Sequence, residues 1–235
     1  MNAVYFCSFA VLIGIVAAGQ PVLAAPMTGP EVAQKSADAY QAVKSMTVTV
    51  TNTKASGGGS SKIKFVSPSS LRIDGTVSGD GDNFVLVANS GGTWVQTEGS
   101  WERETIGSPG GTSVVMGIAA CTGISGSTAA TVPGLLFQSG WGDPFLMPQI
   151  FDASAPQETI QGILTYHIHS VTTESFNVGT TSKVVDDFWI DTKTYMLVKS
   201  KTTIDAKVLN DTSYSRPIVN VSIPTSTFAK PAGAP

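Results

Sequence analysis

Charge is scarce in this chain, and from its middle it is missing. Asp, Glu, Lys and Arg make up 13% of the 235 residues. The stretch TIGSPGGTSVVMGIAACTGISGSTAATVPGLLFQSGWG, residues 105–142, holds none of them and no histidine. At the chain average, about five charges would fall in a segment of that length. Cysteine is nearly absent as well. Cys7 lies in the first apolar run, which leaves Cys121 alone in the body of the chain, so no internal disulfide staples the fold. A lone cysteine in a charge-free setting reads as a small buried hydrophobe, not as a nucleophile. Basic clusters interleaved with aromatics are missing too, and the net charge is −3. Such a chain offers nothing to a phosphate backbone, which excludes nucleic acid as a partner.

Catalytic signatures are also lacking. There is no G-x-S-x-G elbow, no Walker lysine after a glycine run and no dinucleotide fingerprint. Asp80 and Asp82, in GDGD, read as turn residues, with calcium as the weaker alternative. The two histidines, His167 and His169, stand two apart in TYHIHS, on one face of an expected strand. That spacing can hold a metal, with Asp186 or Asp187 as a third ligand. Leu164, Tyr166 and Ile168 take the opposite face, so solvated surface histidines are the default and a metal there is the minor alternative. The protein is expected to be no enzyme and to carry no cofactor.

The opening segment, MNAVYFCSFAVLIGIVAAGQPVLAAP, reads as an export signal. Its apolar run, residues 4–18, has the length of a signal core and is short for a membrane span. Val22 and Ala24 are small and spaced for cleavage after Ala24, or after Ala25. No Lys or Arg precedes the run, so an uncleaved anchor is the competing reading. Cys7 sits inside the run and is no lipid-attachment site. Residues 1–24 are therefore expected to be a signal peptide, and the mature protein to be periplasmic or secreted.

After the leader, Pro30 and Glu31 open a helix expected over 31–44, with Val32, Ala33, Ala37, Tyr40 and Val43 at helical spacing. The period then changes to two. MTVTVTNTK, KIKFV, LRIDGTV, NFVLVAN, TWVQTE and SWERET follow as a meander, with Gly- and Ser-rich turns between them. Lys62, Lys64, Lys183, Lys199 and Lys201 alternate with apolar or hydroxyl residues, as on a solvated sheet face. A second strand group, TIQGILTYHIHSVTT, VVDDFWID, YMLVKSKTTID and SRPIVNVSIP, begins at Thr159. Between the groups, residues 106–151 are too apolar for a linker. Their glycines and prolines admit only short helices, over 113–120 and 133–138. Such a segment suits a cover laid over the concave face of a sheet. PAGAP, residues 231–235, is expected to be a flexible tail.

This order resembles the LolA/LppX-like superfamily of envelope lipoprotein and lipid carriers. The matching elements are Pro68, Leu71 and Arg72 in FVSPSSLRIDG, the turn and strand SGGTW ending at Trp94, and WIDTKTYMLVK from Trp189 to Lys199. Ser67 stands where the carriers place an arginine before the proline. The resemblance implies an α+β, mostly antiparallel fold: a curved incomplete β-barrel with an N-terminal helix and short helices covering its concave face. Residues 25–230 would form that single domain. It also implies an apolar cavity that receives acyl chains, and a neutral cover fits it, because an unpaired charge facing lipid costs several kcal/mol.

The expected function is thus a non-enzymatic carrier of an apolar lipid or an acylated lipoprotein, held between sheet and cover, with envelope membrane proteins as possible further partners. The alternative is an envelope sensor or scaffold that binds a protein through the apolar cover. Cavity candidates are Leu71, Ile73, Phe84, Leu86 and Trp94 from the first strand group. The cover contributes Met116, Ile118, Leu136, Phe137, Trp141, Phe145 and Leu146, and the second strand group Leu164 and Tyr166.

Overall fold

The computed structural model describes residues 26–53, 59–77, 83–104, 129–138, 144–145, 150–177 and 180–235. The expected signal peptide, the GDGD turn, Cys121 and the helix expected over 113–120 lie outside them. No helix among the described residues is long and apolar enough to cross a membrane.

Helix α1 (Gly29–Gln41) starts on a capping box. The Glu31 carboxylate accepts from the Thr28 backbone N–H at 2.8 Å, and the Thr28 hydroxyl accepts from the Glu31 N–H at 3.4 Å. It buries Val32, Ala33, Ser36 and Tyr40. The helix ends three residues before the expected 44. Lys44 and Ser45 are claimed by the sheet, where the Lys44 carbonyl accepts from the Ser67 N–H and Ser45 pairs with Val66.

The first meander is β1 (Ser45–Asn52), β2 (Gly59–Val66), β3 (Ser70–Val77), β4 (Asn83–Asn89), β5 (Gly92–Thr97) and β6 (Ser100–Arg103). Helix α2 (Thr131–Phe137) follows, and Gln138 closes it in the left-handed region at φ 49°. The second group is β7 (Gln157–Ile160), β8 (Ile163–Asn177), β9 (Thr180–Asp191), β10 (Leu197–Ile204) and β11 (Lys207–Tyr214), and β12 (Ile218–Val219) comes last. The order across the sheet is β6-β5-β4-β3-β2-β1-β11-β10-β9-β8-β7, antiparallel throughout, with β12 paired to β1. Among the described residues no strand joins β6 to β7, so the sheet is open. This is the mostly antiparallel incomplete barrel that was expected.

Three details differ from the sequence reading. The stretch read as one strand from Thr159 is two, because Gln161 and Gly162 turn at φ 52° and 77°. KVLNDTSY, unassigned in the sequence reading, is β11 and lies at the centre of the sheet. SRPIVNVSIP supplies only the two residues of β12.

One face carries the core. Met46, Val48 and Val50 of β1 join Ile63, Phe65, Leu71, Ile73, Leu86 and Val95 from the first meander. Ile168, Phe188, Ile190, Leu197 and Tyr214 join them from the second group, and α1 and α2 pack on the same cluster. Eleven strands laid flat would span ~50 Å. A sheet this wide curls through its own twist, and here it curls around the two helices. Gly75 belongs to this packing, because a Cβ there would come within 2.2 Å of the Phe84 ring.

The opposite, outer face holds Lys62, Lys64, Arg72, Asp74, Lys199 and Lys201, as the alternation required. The C-terminal residues cross it. The Ser45 hydroxyl donates to the Val221 carbonyl at 2.6 Å, the Asn89 amide to the Phe228 carbonyl at 2.6 Å, and the Trp94 indole to the Pro235 carbonyl at 3.1 Å. Pro235, in the stretch expected to be a flexible tail, supplies the acceptor that the Trp94 indole N–H needs once it is covered.

Tyr40, 2% exposed, fastens α1 to the sheet: its hydroxyl accepts the Leu197 N–H at 3.2 Å. Tyr40→Phe leaves that buried N–H without its acceptor. The expected loss is about 1–3 kcal/mol of unfolding free energy by urea denaturation. An unchanged midpoint and slope would contradict the contact.

Candidate functional site

The candidate site is the inner face of the sheet. On the first meander, Leu71, Ile73, Phe84 and Leu86 all point inward and are buried. Helix α2 brings Leu136, buried, and Phe137, partly buried, to the same face. Phe137 meets Phe65 edge to face at 5.0 Å. From the other side, Phe145 meets Phe188 at 5.3 Å and Phe151 at 6.1 Å. Tyr166 is half-buried on this face and stacks on Tyr195 at 6.2 Å. Met116, Ile118, Trp141 and Leu146 lie outside the described residues.

Two candidates are placed elsewhere. Trp94 pairs with Val87, whereas its neighbour Val95 pairs with Leu86 of the core. Trp94 therefore faces outward, beneath the C-terminal residues. Leu164 shares the parity of Tyr166 and Ile168 but sits at the end of β8, 47% exposed, beyond the reach of the helices. Phe65, Phe151, Phe188 and Tyr195, which the sequence reading did not select, supply much of the aromatic surface. For Phe188 the signal was ambiguous: in FWID, two adjacent aromatics give no clue to which one faces in.

The inner face is graded along the strands. Towards α1 it is apolar. Towards the end that carries the β1–β2 and β10–β11 turns it becomes polar, through Asn52, Ser170, Asp186, Ser200, Thr202, Asn210 and Thr212. The Asn52 amide donates to the Asn210 side-chain carbonyl at 3.1 Å, and the Thr202 hydroxyl donates to Asp186 at 2.7 Å. Ser170 lies across from Asp186 and is 1% exposed, with no hydrogen-bond partner for its hydroxyl. Between the two zones the Tyr214 and Ser200 hydroxyls share a hydrogen bond of 2.9 Å. Burial pushes the Tyr214 phenol up, against hydrogen bonds with Ser200 and Thr131.

The histidines face outward, away from this surface. His167 Nε2 and His169 Nδ1 lie 2.9 and 2.8 Å from the same oxygen of Asp187. His167 Nδ1 lies 3.0 Å from Glu158. Asp186, the other candidate third ligand, points inward. Among the described residues no group of three His, Cys, Asp or Glu side chains is arranged to hold a metal ion. Burial alone would raise the Asp187 carboxyl, but hydrogen bonds from both imidazoles outweigh it and hold the group below its ordinary 3.8.

The described architecture defines an open antiparallel sheet with helices on its inner face. No family model matches the chain, and no characterised protein matches it by sequence. Among solved structures, it is similar to the lipoprotein LppX of Mycobacterium tuberculosis, at 18% identity over 83% of this chain and 97% of that one, TM-score 0.49. It is similar to LprF from Mycobacterium bovis, at 14% identity over 87% and 97%, TM-score 0.47. The MucA/MucB complex of Pseudomonas aeruginosa also matches, at 10% identity over 87% of this chain and 61% of that one, TM-score 0.48.

A carboxyl held low stabilises the fold above its ordinary range and loses that contribution as the pH falls through its folded value. The difference in urea-unfolding free energy between the wild type and Asp187→Asn is therefore expected to be largest near neutrality and to narrow below about pH 3.8. A difference independent of pH would contradict the two imidazole contacts.

Proposed function

We propose that the protein is an exported, non-enzymatic carrier that shields an apolar lipid, or the acyl group of a lipoprotein, on the inner face of its sheet. One observation carries this reading. A single apolar surface runs across both strand groups, with α1 and α2 packed on it. The chain that connects β6 to β7 includes the charge-free residues 105–142, of which Ala129, Ala130, Val132, Leu135 and Leu136 are buried on this surface. A neutral connection of that length suits a boundary that faces both a sheet and a lipid.

The energetics are sufficient without charge pairing. Each methylene moved from water into such a site contributes about 0.8 kcal/mol, so one acyl chain of ordinary length yields useful affinity. The graded face orients the cargo: the chain lies along Phe137, Phe145 and Phe188, and its polar head sits towards Asn210, Thr202 and Asp186.

Delipidated protein is expected to bind a fluorescent fatty acid saturably, one per chain. Phe137→Asp and Phe145→Asp each place a charge beside the acyl chain and are expected to weaken binding by about tenfold or more. Both residues are only partly buried, so thermal unfolding should confirm that the variants fold. Absence of binding by the wild type, or equal binding by both folded variants, would refute the carrier.

A further inference from the structure

On the outer face, His167 is held at both ring nitrogens by carboxylates: Nδ1 lies 3.0 Å from Glu158 and Nε2 lies 2.9 Å from Asp187. A neutral imidazole carries one N–H and one lone pair. It can satisfy one of these carboxylates, and its lone pair then faces the oxygen of the other. Only the imidazolium donates to both. The ring also lies flat on Trp189, at 4.6 Å and 11°, and the Trp189 indole N–H donates to the same Glu158 carboxylate. We propose that His167 is a proton-dependent latch that binds the edge strand β7 to β9 while its ring is charged, and loosens that strand when the ring is neutral.

What the latch holds follows from the topology. Strand β7 is four residues long and, among the described residues, pairs only with β8. Upstream, the chain continues along the same edge: the Asp152 N–H donates to the His169 carbonyl, and the His167 N–H to the Pro156 carbonyl. It also ties to α1, where the Gly29 N–H donates to the Asp152 carbonyl and the Ala155 N–H to the Met27 carbonyl. Residues 150–160 are thus the return path from the charge-free cover to the sheet. Glu158 joins that path to β8 and β9 through side chains, at the end of a ladder of four pairs. Loosening it loosens residues 150–160 from β8 and β9.

Every charged neighbour fits this role. Asp187 also takes His169 Nδ1 at 2.8 Å, so it keeps an imidazole partner when His167 turns to Glu158 alone. Lys199 lies over the other ring of the stack, 5.3 Å from the centre of Trp189, and is paired with Asp211 at 3.0 Å. Lys201 stands across from Asp187 on β10.

The test uses the full chain, with hydrogen exchange corrected for intrinsic rates at about pH 6 and about pH 9. Protection of residues 157–160 is expected to fall about tenfold or more at the higher pH relative to β1 and β2, a local opening. Nitrogen-15 spectra should show both His167 ring nitrogens protonated at the lower pH. Glu158→Gln keeps an acceptor for Trp189 but removes one carboxylate, and should abolish the pH step. Equal protection at both pH values, a single ring proton at the lower pH, or the same step in Glu158→Gln would overturn the latch. So would stoichiometric zinc binding that displaces the ring protons. None of these readouts involves lipid, so the latch and the carrier reading fail separately.

Discussion

Three register pairs between β1 and β11, Val50 with Tyr214 at their head, decide whether this chain has one inner face or two. Each strand group alone is a meander with its own apolar side. Joined at this seam, with the same parity on both strands, Met46, Val48 and Val50 continue into Tyr214, Leu197 and Ile190 without a break. A slip of one residue would turn one group's apolar side to water. The seam is fixed by more than backbone pairing: Asn52 bonds Asn210, the Ser215 hydroxyl accepts the Thr49 N–H, and β12 extends the same edge of β1.

This seam was also the part least legible in the sequence. KVLNDTSY shows little apolar alternation, because the inner positions of β11 fall on the polar zone: Asn210 and Thr212 face in where a core strand would carry valine or leucine. Elsewhere the alternation was plain. In MTVTVT and KIKFV, hydrophobics alternate with threonine or lysine, and both faces emerged as read. Trp94 misled for a physical reason. An indole prefers burial, but the cover it found is the C-terminal strap on the outer face, a contact between residues 141 positions apart. No local pattern announces such a partner. His167 and His169 were legible as outward-facing, whereas the choice between Asp186 and Asp187 as their shared carboxylate was not, since it depends on the register of β8 against β9.

The two faces divide the work. The inner one is mainly apolar, with a polar end that includes Asp186, so most of its energetics are those of burial. The outer one holds Lys199, Lys201, Asp187, Glu158 and both histidines, whose interactions are partly exposed and therefore individually modest. Their placement matters more than their number. The His167 cluster stands at the edge where the chain returns from its neutral segment, and the same return path touches α1 through Gly29 and Met27.

The most direct measurement is a crystal structure of the delipidated protein soaked with a bromine-labelled fatty acid. The account predicts anomalous bromine density on the inner face, between α2 and β9 and close to Phe137, Phe145 and Phe188. Bromine on the outer face alone, or no ordered bromine at saturating ligand, would contradict it.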